Sequence, residues 1–348
     1  MLKQNFWNAG IALNNSNKQV LDVRFEPGEL NKFGRLPFSV SPIGLGTYHL
    51  TSDRRVSHED GVSIIRSAIE HGINVIDTAP LYGVGEAEQI VGEALGGTRS
   101  ENITVIDKIG RFEKSIVSRL SQEAYTDPEL MLSQLNHSLR TLGTDHIPLL
   151  LLHETDWDEW GLYPDSSGAP VWEFIEKARK QGKIGGIGLS VRKPDRAEFL
   201  CKTGRFDAML FVHYHNLVWQ DVADRLLNLA TKLDIGVAVG APYRQGLLTS
   251  TDPGLRNRLL AERRTSVPPG IIERIAAAQD LARKYEMSLM ELGLRWLVSD
   301  ERVHTIIVGP RNPAELRQNV EWAKLGGLPT EILRDVRELG QIEPGEWQ

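Results

Sequence analysis

What most constrains this chain is a recurrence. Eight short apolar runs return along it: IGLGTY from Ile43, INVIDT from Ile73, ITVIDKIG from Ile103, IPLLLLHE from Ile147, IGGIGLSV from Ile184, FDAMLFVHY from Phe206, IGVAVGAP from Ile235 and VHTIIVGP from Val303. Between them lie segments with apolar residues at three- and four-residue intervals: HEDGVSIIRSAIEHG, EAEQIVGEALGG, PELMLSQLNHSLRTLG, VWEFIEKARKQG, PDRAEFLCKTG, VADRLLNLATKLD, IIERIAAAQDLARKYE and PAELRQNVEWA. Several close on glycine (Gly72, Gly143, Gly182, Gly204), a stop signal for helices. Strands this apolar are covered by helices, and eight parallel strand-helix units close as a barrel. The predicted fold is therefore α/β, a (β/α)8 TIM barrel.

A doubly wound open sheet is the alternative. It needs a phosphate-binding fingerprint at the first strand-to-helix turn, and IGLGTYHL offers G-x-G with neither a third glycine nor a helix directly after it. YGVGEAE does precede a helix, but Glu88 stands where the third glycine belongs.

The ends are read as additions to one barrel domain spanning residues 19–348. Residues 1–18 are a polar, Asn-rich extension, residues 20–38 a β-hairpin turning at EPGELNKFG, and residues 329–348 a C-terminal extension with one short helix and a polar tail. Two connections are long for a compact domain, HETDWDEWGLYPDSSGAP after the fourth strand and GLLTSTDPGLRNRLLAERRTSVPPG after the seventh. Such loops at a barrel's C-terminal face carry binding function.

Charge and composition exclude several classes. The net charge of -6 and the absence of a Lys/Arg run argue against nucleic acid. No apolar stretch approaches the roughly 20 residues of a spanning helix, which argues against a membrane. The single cysteine, Cys201, reads as a buried structural thiol, and MLKQNFWNAG lacks the apolar core of a secretory signal. The expectation is a cytoplasmic protein, a monomer or small homo-oligomer, with a small-molecule partner.

The strand ends gather the titratable groups. Asp77 and Tyr82 follow the second strand, Lys108 ends the third and His153 ends the fourth. A phenol with its ordinary pKa near 10 is a poor acid at neutral pH unless a neighbour stabilises the phenolate. Lys108 is expected to lower it, with Asp77 holding the lysine and His153 orienting a substrate oxygen. The bland reading makes Asp77–Lys108 a structural ion pair and Tyr82 a packing residue. Together the four suit proton delivery to a carbonyl that is receiving a hydride.

These residues carry a resemblance. GINVIDTAPLYGVGEAEQIVGEAL, DKIG, SLRTLGTDHIPLLLLHE, GKIGGIGLS and APYRQGLL are similar to the aldo-keto reductase family from about Ile43 to Ala323. The resemblance implies a barrel with a hairpin closing its bottom and a nicotinamide cofactor bound without a Rossmann motif. It makes Tyr82 the general acid/base, Lys108 and Asp77 its tuners and His153 the carbonyl-orienting residue. It carries cofactor contacts onto Gly46, Thr47 and Tyr48, onto Ser190, onto Ala241, Pro242, Gln245 and Leu247, and onto Gly309, Arg311, Glu315, Gln318 and Asn319. The family's Asn after the serine is Val191 here. Its strand-six Gln and stacking Tyr fall near Val212 and His215, leaving His213, Tyr214 and Asn216 as replacements. Glu315, where NADP-dependent members place a cation, favours NAD(H), while Arg311 and Arg317 keep NADP(H) open.

Tyr48, Trp157 and Trp160, the latter two beside Asp156, Asp158 and Glu159, are the expected substrate contacts and suit a sugar. The subgroup of L-galactose, L-fucose and D-arabinose dehydrogenases points the same way. Rival functions are a nicotinamide-binding accessory protein with little turnover and a metal-dependent barrel hydrolase. His213 and His215 form the H-x-H that the hydrolase would use, but no second histidine pair accompanies it, so no metal is expected.

Overall fold

A computed structural model describes residues 24–96, 102–111, 123–220, 223–244, 246–249 and 268–340. The N-terminal extension, the loop over 250–267, the polar tail beyond 340 and Gln245 lie outside the described residues. Two short strands, β1 (Asn31–Lys32) and β2 (Ser39–Val40), pair antiparallel with Asn31 opposite Val40. Eight further strands are parallel and closed: β3 (Ile43–Gly46), β4 (Val75–Asp77), β5 (Thr104–Ile109), β6 (Ile147–Leu152), β7 (Ile184–Val191), β8 (Ala208–Val212), β9 (Gly236–Gly240) and β10 (Thr305–Val308), which returns to β3. The barrel is the one the eight apolar runs predict.

Strand alternation divides the core in two. Val75, Ile106, Leu149, Leu151, Ala208, Leu210, Ala238 and Ile307 fill the interior. Their neighbours Ile76, Val105, Leu150, Leu189, Val191, Val239 and Val308 face the helices. The hairpin plugs the bottom with Phe33, Leu36 and Val40. Glycines make room for it: a Cβ on Gly186 would stand 2.5 Å from Leu36 Cδ2, and one on Gly236 2.9 Å from Phe33 Cδ2. The hairpin turn falls at residues 33–38, later than expected, because EPGEL forms a 3-10 turn at Pro27–Glu29 instead.

The outer layer is α1 (His58–Glu70), α2 (Glu86–Leu95), α3 (Pro128–Leu142), α4 (Val171–Lys180), α5 (Pro194–Lys202), α6 (Ala223–Lys232), α7 (Pro269–Lys284), α8 (Leu289–Val298), α9 (Pro313–Lys324) and α10 (Thr330–Leu339). One correction concerns the helix before β10. The sequence reading gave that place to IIERIAAAQDLARKYE, but this segment is α7, which packs on α10 in a separate apolar cluster with Trp219, Ile271, Ile275 and Val336. The wall position belongs to α8, which touches β10 and α9. Its signal was present: Ser288 accepts from the Glu291 N–H at 3.0 Å, an S-x-x-E start.

Candidate active site

Alternation aims the key side chains. Val75 points inward on β4, so Asp77 does too; Ile106 points inward on β5, so Lys108 follows one layer higher. Leu149 and Leu151 set the same phase on β6, leading to His153 at its end. Neighbouring strands hold these ends level, with Asp77 opposite Ile106 and Lys108 opposite Leu151.

Lys108 Nζ donates to Asp77 Oδ1 at 2.6 Å and to the Thr78 carbonyl at 2.7 Å. It also lies 4.8 Å from the centre of the Tyr82 ring. Tyr82 meets Tyr48 edge-on at 5.2 Å and His153 edge-on at 6.2 Å. Asp77, Lys108 and His153 are buried, and Tyr82 is half-buried at the mouth. Thr47 fixes the end of β4 through its N–H and Oγ1, both donating to the Asp77 carbonyl. The four predicted strand-end residues are thus brought to one small volume.

Burial works against the lysine's charge, but Asp77 and the Tyr82 hydroxyl outweigh it and hold the ammonium above its ordinary range. Burial pushes the Asp77 carboxyl up against the pull of Lys108. The phenol differs from expectation: burial raises it to about 12, more than the ammonium lowers it. Tyr82 is a protonated donor at neutral pH. Burial, then Lys108, Arg111 and Arg192, push His153 well below the ordinary histidine value, so its ring is neutral. Its Nδ1 is buried with no partner among the described residues.

The loop after β6 departs from its sequence reading. Trp160 is fully buried, not at the mouth; its Nε1 donates to the His153 carbonyl at 3.1 Å and its ring meets Tyr125 edge-on. It supports the histidine from behind. The acids are used internally: Asp156 accepts from the Arg192 and Lys193 N–H groups, and Asp158 pairs with Arg196 at 2.6 Å. Trp157 remains half-buried under the Arg111 guanidinium, 5.2 Å from its ring. Three residues missed in the sequence line this side, Glu154, Arg111 and Arg192, with Arg192 Nη2 2.6 Å and Arg111 Nη1 3.4 Å from Glu154 Oε1. Their signal was position, each directly after or near a strand end.

On the opposite side Ser190 points inward with its N–H held by Thr155 Oγ1 at 3.0 Å, while Val191 turns outward into the helix-facing core. His215 is closed off: its ring packs on Trp296 at 5.0 Å and is 2% exposed, so no face is open to a nicotinamide. Asn216 is consumed in its own turn, donating to the His213 carbonyl and accepting from Val218 and Trp219 N–H groups. His213 Nδ1 and Arg244 Nε are buried without partners. Arg244 went unnoticed in APYRQGLL; its guanidinium lies 4.7 Å above the Trp219 ring.

Tyr48 is half-buried and accepts from Arg54. Gly46 approaches Ile307, and Gly309 lies against His49. Pro242 is buried, Ala241 adopts φ 55°, and Leu247 packs on the α7 cluster. Tyr243 donates to Asn319 Oδ1, tying the β9 loop to α9, and Gln318 donates to Glu321. Glu315 accepts from the Arg311 N–H at 2.8 Å and pairs with its guanidinium at 3.3 Å. Among the described residues no cluster of His, Cys, Asp and Glu could hold a metal, and no helix is long and apolar enough to cross a membrane.

Comparison with known proteins agrees with this arrangement. Residues 42–341 match the Aldo/keto reductase family. D-threo-aldose 1-dehydrogenase from a Pseudomonas species is 23% identical, covering 78% of this chain and 85% of its own. L-galactose dehydrogenase from Arabidopsis thaliana is 24% identical, covering 91% and 95%. The NADH-specific methylglyoxal reductase of Escherichia coli is 27% identical, covering 82% and 91%. A solved aldo-keto reductase from Bacillus halodurans shares the fold with a TM-score of 0.69, at 24% identity over 89% of this chain and 96% of that one. The chain belongs to the aldo/keto reductase family, whose members are oxidoreductases of carbonyl and alcohol groups that use nicotinamide cofactors.

Proposed function

We propose that the protein interconverts an aldehyde or ketone and its alcohol, with Tyr82 as the general acid/base. The observation that carries this reading is the Lys108 ammonium, anchored on Asp77 at 2.6 Å and set against the Tyr82 phenol, with a neutral His153 across from it. The residues fit a nicotinamide on the Ser190 side, where His213 Nδ1 and the Arg244 Nε donor are buried with no partner among the described residues. When bound, that cofactor supplies or accepts the hydride. Tyr82 gives its proton to the carbonyl oxygen in reduction and takes it back in oxidation. Lys108 stabilises the phenolate left behind, and His153 orients the oxygen.

NAD(H) is the favoured cofactor. The Arg311 charge is already met by Glu315, so a 2′-phosphate would displace that carboxylate. The NADH-specific relative supports the same preference. The substrate class proposed is a sugar or small polyhydroxylated aldehyde, supported by the two sugar dehydrogenases among the relatives and by half-buried Tyr48 and Trp157 at the mouth.

The test is turnover followed by nicotinamide absorbance against aldoses, methylglyoxal and pyridoxal with each cofactor. Tyr82→Phe is expected to lower kcat by about 10²–10⁴-fold with dinucleotide affinity unchanged. In the oxidation direction the wild-type rate rises from pH 7 to 10 as phenolate forms, and the variant loses that rise. Near-wild-type turnover by Tyr82→Phe rules out the phenol as proton donor.

A further inference from the structure

Glu88 and Asp107 form a buried acidic pair on the helix side of β5. Alternation turns Ile106 and Lys108 into the barrel and Asp107 out of it. Glu88 sits in the first turn of α2, a helix that starts directly after the Tyr82 turn at Tyr82–Gly85. Both side chains are 0% exposed, and none of their four oxygens meets an N–H or O–H donor at full hydrogen-bond geometry. Each carboxyl is instead within hydrogen-bonding reach of the other.

Among the described residues the cation that acts on the pair is Lys108, which is already committed to Asp77. From α3 the pair is faced by Ser138, beside Glu88, and the Lys108 backbone N–H lies beside Asp107. From inside the barrel Lys108 and Asp77 act on Asp107 in opposite senses and are already paired. Two ionised carboxylates do not coexist at such burial, whereas one retained proton turns their repulsion into a strong O–H···O⁻ bond.

We propose that Glu88 and Asp107 share one proton and act as a positioning clamp, fastening the helix that follows Tyr82 to the strand that carries Lys108. The residue beside each half of the clamp explains its reach: Asp107 is the chain neighbour of Lys108, and Glu88 lies six residues after Tyr82. Loss of the shared proton puts two charges in one buried seam and drives α2 away from β5. The phenol then loses its set distance from the ammonium. The inference rests on the catalytic reading of Tyr82 and Lys108 given above.

Burial raises Glu88 first and the Asp107 charge adds to it; burial likewise raises Asp107 against the pull of Lys108. The folded pair thus keeps protons that the unfolded chain releases, and wild-type stability falls as pH climbs from the ordinary carboxylate range toward the raised values. Thermal unfolding of the full chain from pH 5 to 9 is compared with Asp107→Asn and Glu88→Gln, in which an amide donor replaces the shared proton. Each variant is expected to gain on wild type as pH rises, by about 3 °C or more across the range. In parallel, Asp107→Ala is expected to lower kcat about 10–100-fold at pH 7 with dinucleotide KM unchanged, and Asp107→Asn to restore it to within about threefold. In the reduction direction, the alkaline fall of kcat should also begin later in Asp107→Asn than in wild type. A purely structural seam would move the unfolding temperature without the kcat-against-KM split or the altered pH profile.

The clamp is overturned if Asp107→Asn tracks wild type in both pH profiles, or if folded Asp107→Ala keeps wild-type kcat. If the wild type turns over no carbonyl at all, the catalytic reading fails, and the unfolding series alone decides whether the proton is shared.

Discussion

The two halves of the barrel mouth are built on opposite terms. On the β4–β6 side the charged groups find partners within the protein: Lys108 with Asp77 and Thr78, Glu154 with Arg111 and Arg192. On the β7–β9 side His213 Nδ1 and the Arg244 Nε donor are buried with no partner among the described residues. Backbone strain does not separate them. Of nine non-glycine residues with positive φ among the described residues, six follow barrel strand ends on both sides: Val84, Arg111, Glu154, His213, Ala241 and Arg244. What separates the halves is who meets the ions. On the first, His153 Nδ1, Thr78 Oγ1 and Asp156 Oδ1 are also buried without partners among the described residues, but the charged groups are paired by the chain itself and hold chemistry in place. On the second the Arg244 guanidinium keeps a buried N–H for a ligand.

If that contrast is right, substitutions on the first side cost both stability and turnover. Lys108→Met leaves Asp77 buried without its ion, and Asp77→Asn leaves the lysine so; either is expected to cost about 3–5 kcal/mol in denaturant unfolding. Turnover should fall about 10²–10⁴-fold in each. The double variant Asp77→Asn/Lys108→Met recovers most of the stability and none of the turnover, because no charge is then stranded. A single variant as stable as wild type would show that the pair is open to solvent.

The histidines give the next largest effect. Burial holds His215 down to about 4 and His213 to about 3, and His153 lies well below its ordinary value. The unfolded chain takes up protons near pH 6.5 that these folded rings refuse. Stability therefore falls as pH drops from 6.5 toward 4, by about 1.4 kcal/mol per pH unit for each fully refusing ring. His215→Phe removes one share of that slope, measured as the change in unfolding free energy between pH 7 and 5. An unchanged slope would mean that the ring is already protonated in the fold.

The same contrast decides what the sequence made visible. The eight strands, the interior direction of Asp77, Lys108 and His153 and their meeting with Tyr82 all follow from alternation and from charged residues at apolar strand ends. The other side breaks that regularity. His213 and His215 read as neighbours on one face, but β8 ends at Val212 and His213 turns to φ 72°, so the two part company and His215 goes to Trp296. Trp160 likewise reads as a mouth residue in an aromatic loop, and only the path of that loop tucks it under the His153 carbonyl. The α8 stretch MSLMELGLRWLV was hidden by its own burial, because a helix covered on several faces loses the polar stripe that marks a wall helix. Glu88 was legible only as a departure from a glycine fingerprint, since nothing in α2 reveals the acid facing it from β5.

Substitution on the waiting side should spare the fold and weaken binding. Arg244→Met keeps most of the apolar contact with Trp219 and gives up a buried donor that no described group uses. Dinucleotide affinity by fluorescence titration is expected to fall about tenfold, roughly 1.4 kcal/mol. Unfolding free energy should fall by no more than the about 0.5–1 kcal/mol of a partly exposed cation–π contact. A larger stability loss with unchanged affinity would place Arg244 among the paired groups and erase the distinction between the halves.

The smallest effect bears on whether strain or pairing aims the phenol. Val84 is 54% exposed and β-branched, yet it holds φ 54° two residues beyond Tyr82. A left-handed backbone costs an L-residue about 1–2 kcal/mol, and glycine recovers that at about 0.5–1 kcal/mol of extra chain entropy. Val84→Gly should therefore stabilise the protein by about 0.5–1 kcal/mol in denaturant unfolding. Since Lys108 and its partners fix the phenol's surroundings from the barrel side, kcat is expected to stay within about twofold of wild type. A gain in stability with a clear loss of kcat would mean that the paired half of the mouth depends on its strained turn as well as on its ion pair.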